Sequence, residues 1–181
     1  MKSIYLFIVF VLCLTFNCLS QQRYLEKEVT MDHDTMFLKK DMHKLSGVVY
    51  NEYGEIGFFK NGLREGNHKE WFRNGNLKDE IFYSNGLKDG EFRYWDANGQ
   101  LLKEGHYIKN NLDGLIKEWY HNGNIKLEVH YINGDMHGLR TEWYKSGHKW
   151  SEQIMENGYV ISGKHFYNDG TEITHGNFIK H

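Results

Sequence analysis

Residues 66–90 read GNHKEWFRNGNLKDEIFYSNGLKDG and residues 90–114 read GEFRYWDANGQLLKEGHYIKNNLDG. Laid over one another, the two stretches decide the architecture, because the same residue types return in step. Turn glycines preceded by a polar residue fall at Gly75, Gly99, Gly123, Gly147 and Gly170, at intervals of 24, 24, 24 and 23 residues. A second glycine series, Gly66, Gly90, Gly114 and Gly138, keeps the 24-residue step, and Trp71, Trp95, Trp119 and Trp143 each follow one of its members by five residues. Glu80, Glu104, Glu128 and Glu152 hold a third register, and Tyr83, Tyr107 and Tyr131 a fourth, with Met155 replacing the next tyrosine. Self-similarity at one fixed period in four registers is the signature of a repeat array.

The segments between glycines are too short for useful helices, and the punctuation is Asn-Gly, which supplies two positive φ angles for a two-residue hairpin turn. Each unit therefore reads as a β-hairpin closed by a type I′ turn at Asn74-Gly75 and its counterparts. A second loop follows each hairpin at Asn61-Gly62, Asn85-Gly86, Asn133-Gly134 and Asn157-Gly158, with Asn110-Asn111 in its place once. A shortened first unit over Gly47 to Gly62 and a shortened last one around Gly163 to Gly170 fit an array whose terminal units cover exposed edges. The expected fold is all-β: an elongated, single-layer antiparallel array of five to six hairpins over residues 45–181, preceded by a polar leader at 21–44 that caps the first edge.

The unit from Gly66 to Gly90, with its glycine, aromatic and turn positions matched in four successive copies, resembles the bacterial variant of the MORN repeat. The resemblance covers about three quarters of the chain. It implies a twisted hairpin array of the kind taken to be a protein or lipid interaction module. Within the family a bacterial subgroup carries an antitoxin or immunity label, which by resemblance alone makes neutralisation of a toxin an alternative function.

The first twenty residues are of another kind. Lys2 precedes an apolar run from Ile4 to Leu14, and Cys18-Leu19-Ser20 resembles a cleavage site. This is expected to be a signal peptide cut after Ser20, with an uncleaved anchor or lipidation at Cys18 as alternatives. The run is shorter than the ~20 residues that span a bilayer. Both cysteines, Cys13 and Cys18, fall in this segment, so the exported chain would hold no disulfide and no thiolate.

The 181 residues are 15% aromatic, with 19 Gly and no Pro, and 22 basic against 24 acidic residues leave a net charge of −2. Charges of both signs interleave, so no field selects nucleic acid. No phosphate-cradling loop, nucleophile elbow or cofactor motif is present. Of the eleven histidines only His106 and His130 share a repeat position, about 9.6 Å apart across two strand spacings, too far for a shared zinc ion at ~2.0 Å bonds.

With two-residue turns, Arg73 would face Asn76, Phe72 Leu77, Trp71 Lys78 and Lys69 Glu80, and the glutamate series would gain cations at Lys69, Arg93 and Lys117. Near-copies of one ion pair are not a catalytic site, which needs carboxyl groups in unlike environments. The other sheet face, carrying Phe72, Leu77, Ile81, Tyr83, Leu101, Tyr107, Tyr120, Ile125, Leu127, Val129 and Tyr131, is the more apolar. The tryptophan column has two readings: packing between hairpins, or a stripe that binds protein, glycan or lipid. Trp95 and Trp119 are expected to be mainly structural, and Trp143, facing Trp150, to form the more exposed patch. Trp71, Trp95, Trp119, Trp143 and Trp150 are thus the candidate partner-binding residues of an exported, non-enzymatic module whose expected partner is a protein, with a membrane or glycan surface as the alternative.

Overall fold

A computed structural model describes residues 22–174; the expected signal peptide lies outside them. The chain forms strands β1 (Arg23–Leu25), β2 (Val29–Asp32), β3 (Thr35–Leu38), β4 (Gly47–Tyr50), β5 (Glu55–Lys60), β6 (Leu63–Trp71), β7 (Leu77–Ser84), β8 (Leu87–Trp95), β9 (Leu101–Ile108), β10 (Asn111–Leu112), β11 (Gly114–Trp119), β12 (Ile125–Ile132), β13 (Asp135–Trp143), β14 (Lys149–Glu156) and β15 (Tyr159–His165). The described residues contain no α-helix, only a single 3₁₀ turn at Glu26–Glu28. From β4 to β15 the sheet is a meander in sequence order, with β10 pairing β9 and β1 lying parallel to β4 at the near edge. β2 and β3 form a separate hairpin. Val29 of that hairpin packs with Leu45, Val49 and Phe59 in a core of its own.

The turns alternate in kind, and the two-residue turns are not where the Asn-Gly reading first puts them. Type I′ pairs of positive φ occur at Asn61-Gly62 (51° and 83°), Asn85-Gly86 (50° and 83°), Asn133-Gly134 (52° and 96°) and Asn157-Gly158 (51° and 81°). The member without glycine is Lys109-Asn110 (47° and 73°), one residue before the expected Asn110-Asn111. At Asn74-Gly75 only the glycine is left-handed, at 85°. Phe72 N–H donates to the carbonyl of Asn76 (2.8 Å) and Gly75 N–H to that of Phe72 (2.9 Å), so the loop is Arg73-Asn74-Gly75. The asparagine acts through its side chain instead: Asn74 Oδ1 accepts the N–H of Asn76 at 3.1 Å, and in the same way Asn122 Oδ1 accepts that of Asn124 at 3.2 Å and Asp169 Oδ1 that of Thr171 at 2.9 Å.

The third loop residue shifts the register. Trp71 stands opposite Leu77, not Lys78, and the pairing slips between Glu70 and Trp71, Tyr94 and Trp95, Glu118 and Trp119, and Glu142 and Trp143. Trp143 accordingly faces Lys149, not Trp150. Beyond the slip the expected pairing returns, with Lys69 opposite Glu80. Gly75, Gly99, Gly123, Gly147 and Gly170 all have φ between 85° and 96°. Gly123→Val should therefore cost more than about 1 kcal/mol, because a β-branched side chain is strongly disfavoured there. The nearest neighbour of an added Cβ, Gln100 Oε1, is 3.5 Å away, so the loss would come from the backbone. An unchanged urea midpoint would refute the turn assignment.

A single layer has to shield its apolar residues sideways. On one face, here the inner one, Ile81, Phe92, Ile116 and Val129 form a central row, and Tyr83, Tyr94, Tyr107, Leu127, Tyr131 and Met136 pack around it. Phe92 is 1% exposed, with the Tyr107 ring centroid 4.6 Å away and that of Tyr94 at 5.4 Å. Gly105 makes the space: a Cβ there would lie 2.2 Å from Ile116 Cδ1 and 3.0 Å from Phe92. His68 continues the row and joins the two cores, with Phe59 at 4.9 Å and Tyr83 at 5.2 Å, both edge-on.

On the outer face Lys69, Glu80, Arg93, Glu104, Lys117, Glu128, Thr141, Glu152 and Lys164 stand in one row across the strands. The ion pairs are Lys69–Glu80 at 3.6 Å, Arg93–Glu104 at 3.8 Å and Lys117–Glu128 at 3.4 Å. Partly exposed pairs of this kind contribute about 0.2–1 kcal/mol each.

Candidate functional site

Two regions of the described surface carry more than repeat packing. The first is the set of tryptophans. Trp71, Trp95, Trp119 and Trp143 are all half-buried at their register slips, while Trp150 is exposed and meets the ring of His165 at 6.0 Å. Trp71 packs on Gly54, where an added Cβ would come within 3.2 Å of its ring, and its Nε1 is buried without a hydrogen-bond partner. Trp119 lines a shallow hollow with Leu102, Lys103, Glu118 and Lys126. Burial opposes ionisation of Glu118, but Lys103 (3.0 Å) and Lys126 (3.2 Å) together hold its carboxyl below the usual range. The structure thus groups the four repeat tryptophans as equivalents and sets Trp150 apart. Large exposed apolar side chains are frequent on these strands: Leu139, Trp150, Ile154, Tyr159, Val160 and Ile161 are between 42% and 75% exposed on β13–β15, with Leu139 opposite Ile154, and with Tyr159 and Val160 at the far end of β14 from Trp150.

The second region is a hollow of about 340 Å³ on the inner face of β6–β8, lined among others by Arg64, His68, Asp79, Tyr83, Lys88 and Tyr94. Register builds it. Glu70, Asp79, Tyr94 and Lys103 follow one another across the strands, and Tyr83 stands opposite Lys88. Arg64 lies over the ring of Tyr83 at 5.2 Å and Lys88 over that of Tyr107 at 5.1 Å. Glu70 is held by Lys78 at 2.7 Å.

Asp79 is only 8% exposed. Burial, reinforced by the negative charge of Glu70, pushes its carboxyl up to about 6. His68 behaves oppositely: burial pushes its imidazole down to about 4, so the ring is neutral at pH 7. Its Nε2 bonds the carbonyl of Phe58 at 2.8 Å, which assigns the proton to that nitrogen, and Nδ1 is buried without a partner. Burial also raises the phenols of Tyr83 and Tyr94.

None of the hollow's polar residues was singled out by sequence as a site. The available signal was a departure from the repeat: the position of Asp79 is Lys103, Leu127 and Ser151 in later units, and that of His68 is Phe92, Ile116 and Arg140. Along the turns a further departure, Asp96 where other units have Phe72, Tyr120 and Tyr144, accepts a hydrogen bond from His121 at 2.7 Å. That bond, helped by backbone N–H groups, holds the Asp96 carboxyl below its ordinary range. Among the described residues no cluster of three His, Cys, Asp or Glu could hold a metal ion, and no helix is long and apolar enough to cross a membrane.

No curated protein matches the chain. The MORN repeat variant matches it three times, at residues 64–85, 88–109 and 112–133. Each match spans one hairpin with a three-residue turn and ends at a type I′ turn. Repeats of this type are generally non-catalytic modules. Residues 64–133 are thus three tandem matches to the MORN repeat variant.

Proposed function

We propose that the chain is an exported, non-enzymatic interaction protein that engages a protein partner through the exposed apolar surface of β13–β15. The observation that carries this reading is the gathering of Leu139, Trp150, Ile154, Tyr159, Val160 and Ile161 at one end of the sheet. In the preceding units the central inner row is apolar and covered. At this end it becomes Arg140 and Gln153, joined at 2.7 Å, and then Gly163. Leu139 and Ile154 stand opposite one another on the other face, in step with Thr141 and Glu152, and both stay in water; exposed apolar surface of this kind marks a docking surface.

Alanine substitution separates packing from binding. Trp71→Ala, Trp95→Ala, Trp119→Ala and Trp143→Ala should each cost about 1.5–3 kcal/mol, the value of a substantially buried large side chain. Trp150→Ala should change stability by less than about 0.5 kcal/mol while weakening capture of a partner by 2 kcal/mol or more, as aromatic anchors do. Urea titration and quantitative pull-down on the five variants measure both. Equal binding by wild type and Trp150→Ala would remove the patch from the interface. Export is checked by N-terminal sequencing, which should begin at Gln21; intact Met1 in a cytoplasmic fraction would overturn it.

A further inference from the structure

We propose that the hollow on the inner face of β6–β8 is a binding site for a compact soluble dianion, a diphosphate or dicarboxylate whose two charged groups lie between Arg64 and Lys88. The site is distinct from the β13–β15 patch and does not depend on it. At about 340 Å³ it lies at the small end of ligand cavities.

The charge of the hollow selects the sign. Arg64, Lys69, Lys78 and Lys88 line it against Glu70 and Asp79, so cations are in excess even with both carboxyls ionised. Lys69 is held by Glu80 on the outer face at 3.6 Å, and Lys78 holds Glu70 at 2.7 Å. Among the described residues no carboxylate lies within ion-pair distance of Arg64 or Lys88. The Arg64 guanidinium lies over the ring of Tyr83 at 5.2 Å, with one N–H on Met31 Sδ at 3.8 Å, and the Lys88 ammonium lies over the ring of Tyr107 at 5.1 Å. A ring covers one side of each cation and leaves donors for a ligand.

Packing does not require these cations. Arg64, Lys88, Leu112, Met136 and Val160 form one column at the 24-residue step. Leu112 and Met136 pack against the core, and Tyr131 stands opposite Met136 as Tyr83 stands opposite Lys88. An apolar side chain therefore serves at this position, and the units that build the hollow carry charge there instead.

Spacing selects the kind of anion. Each cation lies over an equivalent tyrosine, so the two heads keep the repeat step of two strand spacings, about 9.6 Å. With about 2.8 Å from each head to a bound oxygen, the ligand's two contacted oxygens are about 4 Å apart. That separation belongs to two neighbouring anionic groups, not to the oxygens of one phosphate or one carboxylate. The Arg64 fork suits one group bidentately, and Lys88 meets the other as a point charge.

The test is calorimetric titration of the full chain with pyrophosphate and succinate, with inorganic phosphate and acetate as single-group probes. Pyrophosphate or succinate should bind saturably and about tenfold or more tighter than either single-group anion, and the tighter of the two names the group. Arg64→Leu and Lys88→Leu should each weaken that binding by about tenfold or more through loss of a charged donor. Leucine already fills this column at Leu112, so both variants should keep the wild-type urea midpoint. Lys145→Ala, at an exposed turn residue, and Trp150→Ala should leave binding unchanged. The proposal is overturned if neither two-group anion saturates, if phosphate or acetate binds as tightly, if either leucine variant binds as wild type does, or if Lys145→Ala weakens binding equally.

Discussion

Phe92→Ala should lower the free energy of unfolding by about 3–5 kcal/mol, the range for emptying a buried aromatic site. The upper half of that range is expected here. A single-layer sheet has no second layer to move in, and the cross-strand neighbour that could fill the space is Gly105, which has no side chain. The surrounding Tyr94 and Tyr107 rings are held by their own strands. Urea denaturation of wild type and variant, with equal slopes, measures the loss; a value under about 1 kcal/mol would mean that Phe92 is not the centre of the core.

A variant at Asp79 should raise the stability curve at pH 7 and change its shape between pH 4 and pH 6.5. His68 has a folded value near 4 against an ordinary 6.5, so its contribution is complete above 6.5 and is lost as pH falls toward 4, where the unfolded chain takes up a proton and the folded one does not. Asp79 has a folded value near 6 against an ordinary 3.8, so the folded chain takes up the proton first and stability is gained over nearly the same window. Each effect is of the order of 3 kcal/mol at full extent, and they oppose each other. Their joint contribution in the wild type should therefore be nearly flat from pH 4 to 6. Asp79→Asn should raise stability at pH 7 and expose the acid lability of His68, giving a curve that falls steadily below pH 6.5. Melting temperatures of wild type, Asp79→Asn and His68→Phe across this range decide it: an Asp79→Asn curve parallel to wild type would show that the carboxyl is ordinary in the folded protein.

The period of 24 residues made the meander legible, because it rests on glycine, aromatic and charge positions that act locally. The Lys69–Glu80, Arg93–Glu104 and Lys117–Glu128 pairs follow from it directly, as do Ile81, Tyr83, Tyr107, Leu127, Val129 and Tyr131 on the more apolar face. The turn type did not follow, because Asn-Gly suits both loops: in Asn85-Gly86 both residues are left-handed, whereas in Asn74-Gly75 the asparagine bonds forward through its side chain. That one-residue difference moved Trp71 from Lys78 to Leu77 and Trp143 from Trp150 to Lys149. Phe92 and Ile116 went unnoticed because their column begins with His68 and ends with Arg140, so polarity hid a core position that its 24-residue step reveals. The hollow around Asp79 was invisible for a related reason: it exists where the repeat is broken, and a search for likeness passes over it.

The alternating row of charges on the outer face has a further consequence, for how such a chain can lengthen or shorten over evolutionary time. Removing one strand would bring Lys69 beside Arg93 or Glu80 beside Glu104 and would reverse the direction of everything downstream. Removing two strands together, such as residues 90–113, brings Glu80 next to Lys117 and Ile81 next to Ile116, so signs still alternate and apolar side chains still meet. Gene duplication or loss in steps of 24 codons is thus silent to the sheet's pairing rules, whereas any other step is penalised at once. Copy number becomes a freely adjustable trait, while the irregular residues within single units are what each lineage can specialise.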